Sequence, residues 1–388
     1  MKKGLTALAF GTLGLGITEF VMMGILPDVA KSLNISIPIA GHLISIYALG
    51  VSVGAPLITL MARTRPLKQI LLCLALIYTI ASFCAAMVPN FATFVPVRFM
   101  MGFPHGAFFG VGSIVAAKLV PKEKSASAIA YMVSGMTIAN VIGVPLGTFI
   151  SHFVSWRLVF IISGVWGLVI LFCIWKWIPY LEPLPNTGIK GQFRFLIHLS
   201  PWLILLATMF GNGGIFCWYS YISPLMQGVS GILPQYMSIV MIVAGIFMVI
   251  GNYWGGRLSD SYPPEKVACR LQVMAAVALL FIFFFAQYAW VSLIMMCICT
   301  GCLFGVSAPQ QFLILRYSYG GEMMAAASIQ IAFNMGNALG AYLGGLPIEA
   351  GMGYRFPALI GCAVVLGGAM FFYLFTQRTR PIGDTIRK

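Results

Sequence analysis

LTALAFGTLGLGITEFVMMGIL, residues 5–26, is an apolar run with a single carboxylate, Glu19, in its middle. A hydrocarbon core about 30 Å thick is crossed by ~20 residues of helix at 1.5 Å each, so this run is long enough to span a bilayer. A charge at that depth costs about 3 kcal/mol or more, and such groups are rare and mark ion or substrate pathways. Burial favours the neutral form of a carboxyl and a nearby cation favours the charged form. A carboxyl balanced between the two can exchange a proton as its surroundings change. Glu19 is therefore the expected proton carrier of a device that couples proton movement to something else.

The rest of the chain has the same character. Of 388 residues, 60% are hydrophobic and 8% charged, against about 25% charged in an ordinary soluble domain. Twelve apolar runs lie near 5–29, 38–62, 69–89, 92–117, 127–151, 157–179, 200–225, 235–256, 267–289, 291–315, 325–348 and 356–377. Each is read as a helix, because a spanning helix satisfies its own backbone hydrogen bonds whereas open strands in lipid do not. The fold class expected is an all-α polytopic membrane protein. Met1-Lys2-Lys3 before the first run resembles a signal peptide, but that run is too long and lacks a cleavage site, so it is read as a retained first helix.

The net charge of +14 invites a nucleic-acid reading that its distribution opposes. With the N-terminus in the cytoplasm, 19 of the 23 Lys and Arg fall on cytoplasmic loops and tails. That bias is the positive-inside pattern, and it expects both termini in the cytoplasm and an inner (plasma) membrane address. The nine cysteines lie in or beside apolar runs, and Cys297, Cys299 and Cys302 share one run without histidine partners. They read as small apolar fillers rather than a metal centre.

Sliding the chain on itself by 197 residues brings Gly14 onto Gly211, Pro27 onto Pro224, Gly54 onto Gly251, and Asn140, Gly143 and Gly147 onto Asn337, Gly340 and Gly344. Six runs per half make a parallel repeat, an architecture of transporters with the binding site between the halves near the midplane. The domains expected are a six-helix bundle over 1–179, a cytoplasmic linker over 180–199 and a second bundle over 200–388. Gly135, Ala139, Gly143 and Gly147 put small residues on one helix face, suited to close helix packing. They are read as static packing or as a hinge or sliding seam between the halves, with Pro145 breaking the hydrogen-bond ladder.

Arg98 lies inside the fourth run and His105 two turns further along the same face, with Gly102 and Gly106 beside them. An intramembrane Arg needs a partner, and Arg98 is expected to tune Glu19 directly or through water, with His105 in the relay or lining the pocket. The second half offers neutral polar groups instead. Asn212, Trp218, Tyr219, Gln310, Gln311, Gln330, Asn334 and Asn337 are the candidate substrate contacts. Aromatic faces with amides suit a sugar-like or amphipathic neutral ligand. Trp218 and Tyr221 also fit an interfacial belt, and Asn337 a bridge between helices.

ITEFVMMGILPDVA, SIPIAGHLISIYALGVSVGAPL, RFMMGFPHGAFFGVGSIVAAKLVP, SGMTIANVIGVPLGTF, SWRLVF and FNMGNALGAYLGG carry a resemblance that covers both halves. The chain resembles the major facilitator superfamily in its drug/proton antiporter branch, and within it the arabinose-efflux-permease (AraJ-type) exporters. The resemblance implies twelve helices in two pseudo-symmetric bundles and proton-coupled efflux by alternating access. Arg98 with Gly102 matches the family's helix-four motif, and Gly135 to Gly147 its antiporter motif, with Pro145 one residue late. The gate motif survives as Gly256-Arg257-Leu258-Ser259-Asp260 but is broken in the first half, where Thr59 and Arg63 replace its Gly and Asp. The expected partners are a small-molecule substrate, protons and the lipid bilayer, with no nucleic acid, and the chain is expected to be a monomer. No cofactor is expected beyond a proton gradient. No metal-spaced cluster or GxxxxGK[ST] loop points to an enzyme or direct ATP use. A uniporter or importer of the same fold and a non-transporting receptor stay open.

Overall fold

The computed structural model describes residues 2–61, 65–121, 125–182, 193–318 and 322–379. Twelve membrane-length helices follow one another: α1 (Lys2–Leu33), α2 (Ile37–Met61), α3 (Leu67–Met87), α4 (Phe91–Lys118), α5 (Ser125–Ile138 and Val144–Phe153), α6 (Trp156–Trp177), α7 (Leu199–Tyr219), α8 (Met237–Ser261), α9 (Pro264–Phe285), α10 (Ala289–Gly305 and Ser307–Arg316), α11 (Glu322–Glu349) and α12 (Phe356–Thr379). Among the described residues eleven of these segments are long and apolar enough to cross a membrane. The twelfth, α11, is diluted by Gln330, Asn334 and Asn337, and it is the helix with most to do between the halves.

Local signals set the turns. Asn90 caps α4 by accepting from the Thr93 N–H at 3.0 Å, and Ser155 caps α6 by accepting from the Arg157 N–H at 3.2 Å. Asn34 ends α1 with a φ of 52°, a left-handed conformation that asparagine tolerates. In α5 a wide π turn at Ala139–Gly143 joins the two segments, and the Val144 N–H reaches back five residues to the Ala139 carbonyl. Pro145 follows at once. It has no N–H to give and its ring crowds the carbonyl four residues back, so the ladder widens there.

The repeat read from the sequence reappears as paired contacts. In the first half α2 packs on α4, α3 on α6 and α1 on α5; in the second, α8 packs on α10, α9 on α12 and α7 on α11. These are the same three pairs after a shift of six helices. Gly50 and Gly54 of α2 abut the Phe99 and Phe103 carbonyls, while Gly251 and Gly255 of α8 abut the Gly301 and Gly305 carbonyls. The halves meet through α2 on α11 and α5 on α8, two interfaces that exchange under the same shift.

Of the two readings of the small face of α5, the contacts favour packing within one half over a seam between the halves. Gly135 sits against Ala9 and Thr12, Gly143 against Ile17 and Gly147 against Val21, all on α1. That face closes a joint inside the first half and is not a seam between the halves. Gly336, Gly340 and Gly344 of α11 do likewise against Met209, Gly213 and Cys217 of α7. Residues 183–192 of the expected linker lie outside the described residues, as do Arg63 and the side chains of Thr59 and Asp260. Gly256, near the end of α8, faces Ala308 of α10.

Core residues divide unevenly along the helices. At the end where the loops 34–36, 88–90, 154–155 and 350–355 lie, one buried cluster runs through both halves, from Phe20, Leu26 and Tyr47 to Trp218, Tyr221 and Met241. At the end nearer the termini there are two clusters. One holds Leu8, Leu71 and Val115 of the first half, and the other Ile204, Ile314 and Phe372 of the second. Among the described residues the halves therefore share a core at one end and keep separate cores at the other.

Candidate functional site

Glu19 sits on α1 in the level where the shared core begins, and it is buried with 5% of its surface exposed. Its two oxygens face different helices. Oε2 lies 3.6 Å from Nε2 of His105 on α4, an electrostatic contact just beyond hydrogen-bond length. Oε1 accepts a long hydrogen bond of 3.4 Å from Nδ2 of Asn337 on α11. One carboxyl thus touches both halves.

Tyr47 of α2 completes the first-half side. Its hydroxyl lies 2.9 Å from Nδ1 of His105 and 3.4 Å from the Thr18 hydroxyl. When the tyrosine donates to Nδ1, the His105 proton is on Nε2 and points toward Glu19. Phe109 stacks on the imidazole at 5.2 Å. Gly102 makes this assembly fit, since a Cβ there would run into the Tyr47 carbonyl. The close approach of α4 to α2 brings Arg98 and His105 to Tyr47.

Arg98 is fully buried but does not pair directly with Glu19, which corrects the direct arm of the expected contact. Its Nε donates to the Leu43 carbonyl at 3.2 Å and its Nη1 to the Thr18 carbonyl at 3.1 Å. The guanidinium lies over the Tyr47 ring, 4.5 Å from the centroid. It clamps α1, α2 and α4 together one residue from Glu19, and its Nη2 has no partner among the described residues.

An aromatic group flanks the carboxyl. Phe20 of α1 meets Phe216 and Tyr219 of α7 at 6.3 and 6.4 Å, and Phe304 of α10 at 5.9 Å. Asn212 shares the helical face of Phe216 and Tyr219. It is fully buried, and neither end of its amide has a partner among the described residues. Gln310 is buried with Nε2 unpartnered, and Asn334 is buried with Oδ1 unpartnered, its Nδ2 donating to the Gln330 carbonyl at 3.0 Å.

The remaining candidates separate. Gln311 is exposed beside buried Gln310, because neighbours on a helix point about 100° apart. Gln330 is half-buried. Trp218 and Tyr221 are fully buried rather than interfacial, and the Tyr221 hydroxyl donates to the Ala341 carbonyl of α11 at 2.8 Å. Asn140, the repeat mate of Asn337, donates to the Met136 carbonyl at 3.1 Å, and its backbone meets Gly245 of α8. Tyr47, Thr18 and Phe20 were not singled out in the sequence. Tyr47 is one of 15 tyrosines, and its partner His105 lies 58 residues away.

The sequence profile of the Major Facilitator Superfamily matches residues 8–329. This chain belongs to the Major Facilitator Superfamily. Among its relatives in the superfamily is AraJ of Escherichia coli (strain K12), 44% identical over 92% of this chain and 91% of AraJ. The inner membrane transport protein YdhP of the same strain is 36% identical over 97% of this chain and 96% of its own length. A chloramphenicol resistance protein of Streptomyces lividans is 31% identical over 69% of each chain. In the solved structures the same superfamily fold appears in a D-xylose–proton symporter, with a TM-score of 0.77 at 15% identity over 96% of this chain and 97% of that one. The chain is thus a multi-pass membrane transporter of the superfamily and not an enzyme.

Proposed function

We propose that the chain is a proton-driven exporter that exchanges H⁺ for a small neutral or amphipathic solute, a sugar or a drug, by alternating access. It works in the inner membrane with both termini in the cytoplasm. One observation carries the reading: Glu19, the one buried carboxyl among the described residues, lies between the halves with an imidazole on one oxygen and an amide of the opposite half on the other. A proton adds to a Glu19 oxygen from one side of the membrane and leaves to the other after the halves rock. His105 and Tyr47 form the relay that meets it, and Arg98 holds that relay in place through α1 and α2.

Solute recognition is assigned to the second half. Asn212, Gln310 and Asn334 offer buried amide donors and acceptors without partners among the described residues, and leaving such groups unpaired costs about 1–3 kcal/mol each. A ligand with hydroxyl or carbonyl groups removes that cost, and Phe216 and Tyr219, on the helical face of Asn212, supply apolar surface together with Phe20. Among the described residues no ionised side chain is bonded to these amides, which favours a neutral solute. The superfamily relatives linked to inner-membrane transport and to chloramphenicol resistance support the address and the direction.

The test is uptake of labelled arabinose and of chloramphenicol into inverted vesicles under an imposed pH gradient. Glu19→Gln is expected to abolish gradient-driven movement while the protein still folds. Full gradient-driven uptake by that variant would falsify the proton-carrier assignment. Adding a transported solute to the purified wild-type protein in weak buffer is expected to release protons.

A further inference from the structure

We propose that Asn337 is the positioning residue by which the second half reads the charge of Glu19. The inference rests on the proton-carrier reading of Glu19. The sequence places Asn337 among the substrate contacts, but in the structure its donor is committed to Glu19 Oε1 at 3.4 Å. The side chain is buried, and its Oδ1 has no partner among the described residues. The amide can therefore serve the carboxyl in either state. An ionised Glu19 accepts from Nδ2. A protonated Glu19 can donate its new O–H to Oδ1 once the amide turns over.

The two arrangements are not equally strong. A hydrogen bond to an ionised carboxylate is roughly twice as strong as one between neutral groups. Protonation of Glu19 therefore weakens a tie that crosses from one half to the other. The helix holding that tie is built to pass the change on. The next residue, Ala338, accepts at its carbonyl from the Ser45 hydroxyl of α2 at 2.9 Å. Gly336 and Gly340 on either side lie flush on α7. A pull on the Asn337 side chain is a pull on α11 and, through the glycine joint, on α7.

The surroundings of Glu19 leave this assignment to Asn337. From α4 come His105, on the other carboxyl oxygen, and Arg98, whose Nε and Nη1 go to the Leu43 and Thr18 carbonyls and whose Nη2 has no partner among the described residues, so that it makes no hydrogen bond to Glu19. From α2 comes Tyr47, which is engaged with His105. At this level α5 brings the neutral Asn140, and α7 brings Tyr219 against Phe20. Asn337 is the second-half side chain whose hydrogen bond reaches the carboxyl among the described residues.

The test needs no substrate. Spin labels go on Lys118→Cys and Arg316→Cys, both exposed at the parting end, in a full-length chain whose nine native cysteines are replaced. The inter-half distance is followed against pH, and infrared difference spectra follow the carboxyl C=O band that Glu19→Gln removes. In the wild type the distance and the carboxyl band are expected to titrate together, with an asparagine amide band, identified by isotope-labelled asparagine, moving alongside. Asn337→Leu is expected to move the carboxyl midpoint by about one pH unit to the alkaline side, since a bond favouring the charged form is gone. It is also expected to uncouple the distance from that titration, and Asn337→Gln to restore part of the coupling.

If Asn337→Leu keeps the wild-type midpoint and the distance still follows it, the inference is overturned. The proton-carrier reading then stands on the Glu19→Gln result alone. If Glu19→Gln leaves the pH-dependent distance change intact, both readings fall. Should Asn337→Leu not fold, the wild-type spectra decide, because an asparagine band that stays still through the titration is sufficient to overturn the proposal.

Discussion

At the scale of single residues, the site works by sharing groups. Glu19 divides its oxygens between His105 and Asn337, Tyr47 divides its ring and hydroxyl between Arg98 and His105, and Arg98 gives its Nε and Nη1 to the backbone of two helices. Removing one hydroxyl should therefore be felt at the carboxyl. Tyr47→Phe keeps the ring under the guanidinium and loses the short contact with Nδ1, along with longer ones to the Thr18 hydroxyl and the Leu15 carbonyl, so His105 is no longer held in one tautomer. A bond of that kind contributes about 1 kcal/mol, and gradient-driven transport by Tyr47→Phe is expected to slow roughly fivefold with little loss of thermal stability. Stopped-flow proton uptake would check it, and a wild-type rate would remove Tyr47 from the relay. Glu19, Arg98 and His105 were legible because a charged or titratable group stands out in an apolar run. Tyr47 was not, since an aromatic residue in such a run is ordinary, and its role comes from a contact that no local pattern encodes.

Elements carry the next level of order. Glycines on α2, α4, α5, α8 and α11 are close approaches of one helix to another, and two on α4 make a controlled comparison. A Cβ at Gly102 would strike the Tyr47 carbonyl, which is backbone and cannot swing away, whereas a Cβ at Gly110 meets nothing. Gly102→Ala is expected to lower stability by about 1–3 kcal/mol through overpacking and to displace Arg98 and His105 with it. Gly110→Ala should be neutral or mildly stabilising, by up to ~1 kcal/mol of helix propensity. Thermal unfolding in detergent distinguishes the two, and equal melting of both variants would refute the close approach. The repeat itself was readable from Asn-x-x-Gly-x-x-x-Gly, but the partner of the α5 face was not. Periodic small residues say that some helix comes near and do not say which, so a joint within one half reads the same as a seam between two.

For the molecule as a whole, the distribution of core decides what can move. Where the shared cluster lies, Ser45 of α2 bonds to the Ala338 carbonyl of α11, Gly41 of α2 lies against the Tyr221 hydroxyl of the second half, and His42 stands 4.0 Å from Glu349. A pair of cysteines at Ser45 and Ala338, in a background lacking the native nine, is expected to accept a short bifunctional thiol reagent and to stop transport. The same reagent across Lys118 and Arg316 at the opposite end should react little. Efficient cross-linking there would mean that the halves rest in a different orientation. Nothing in the amino-acid pattern announced this asymmetry, because six-helix halves with one blueprint pack equally well at either end until the contacts between them are known.

That uneven seam also ranks the two doorways. Opening the sealed face means exposing the large side chains Phe20, Trp218 and Tyr221 that are now hidden from solvent, whereas at the other face the described cores of the two halves are already separate. A blocker that wedges the molecule in its resting posture must therefore approach from the compartment that holds the chain ends. A compound confined to the far side finds only a shut wall, however well it would fit within.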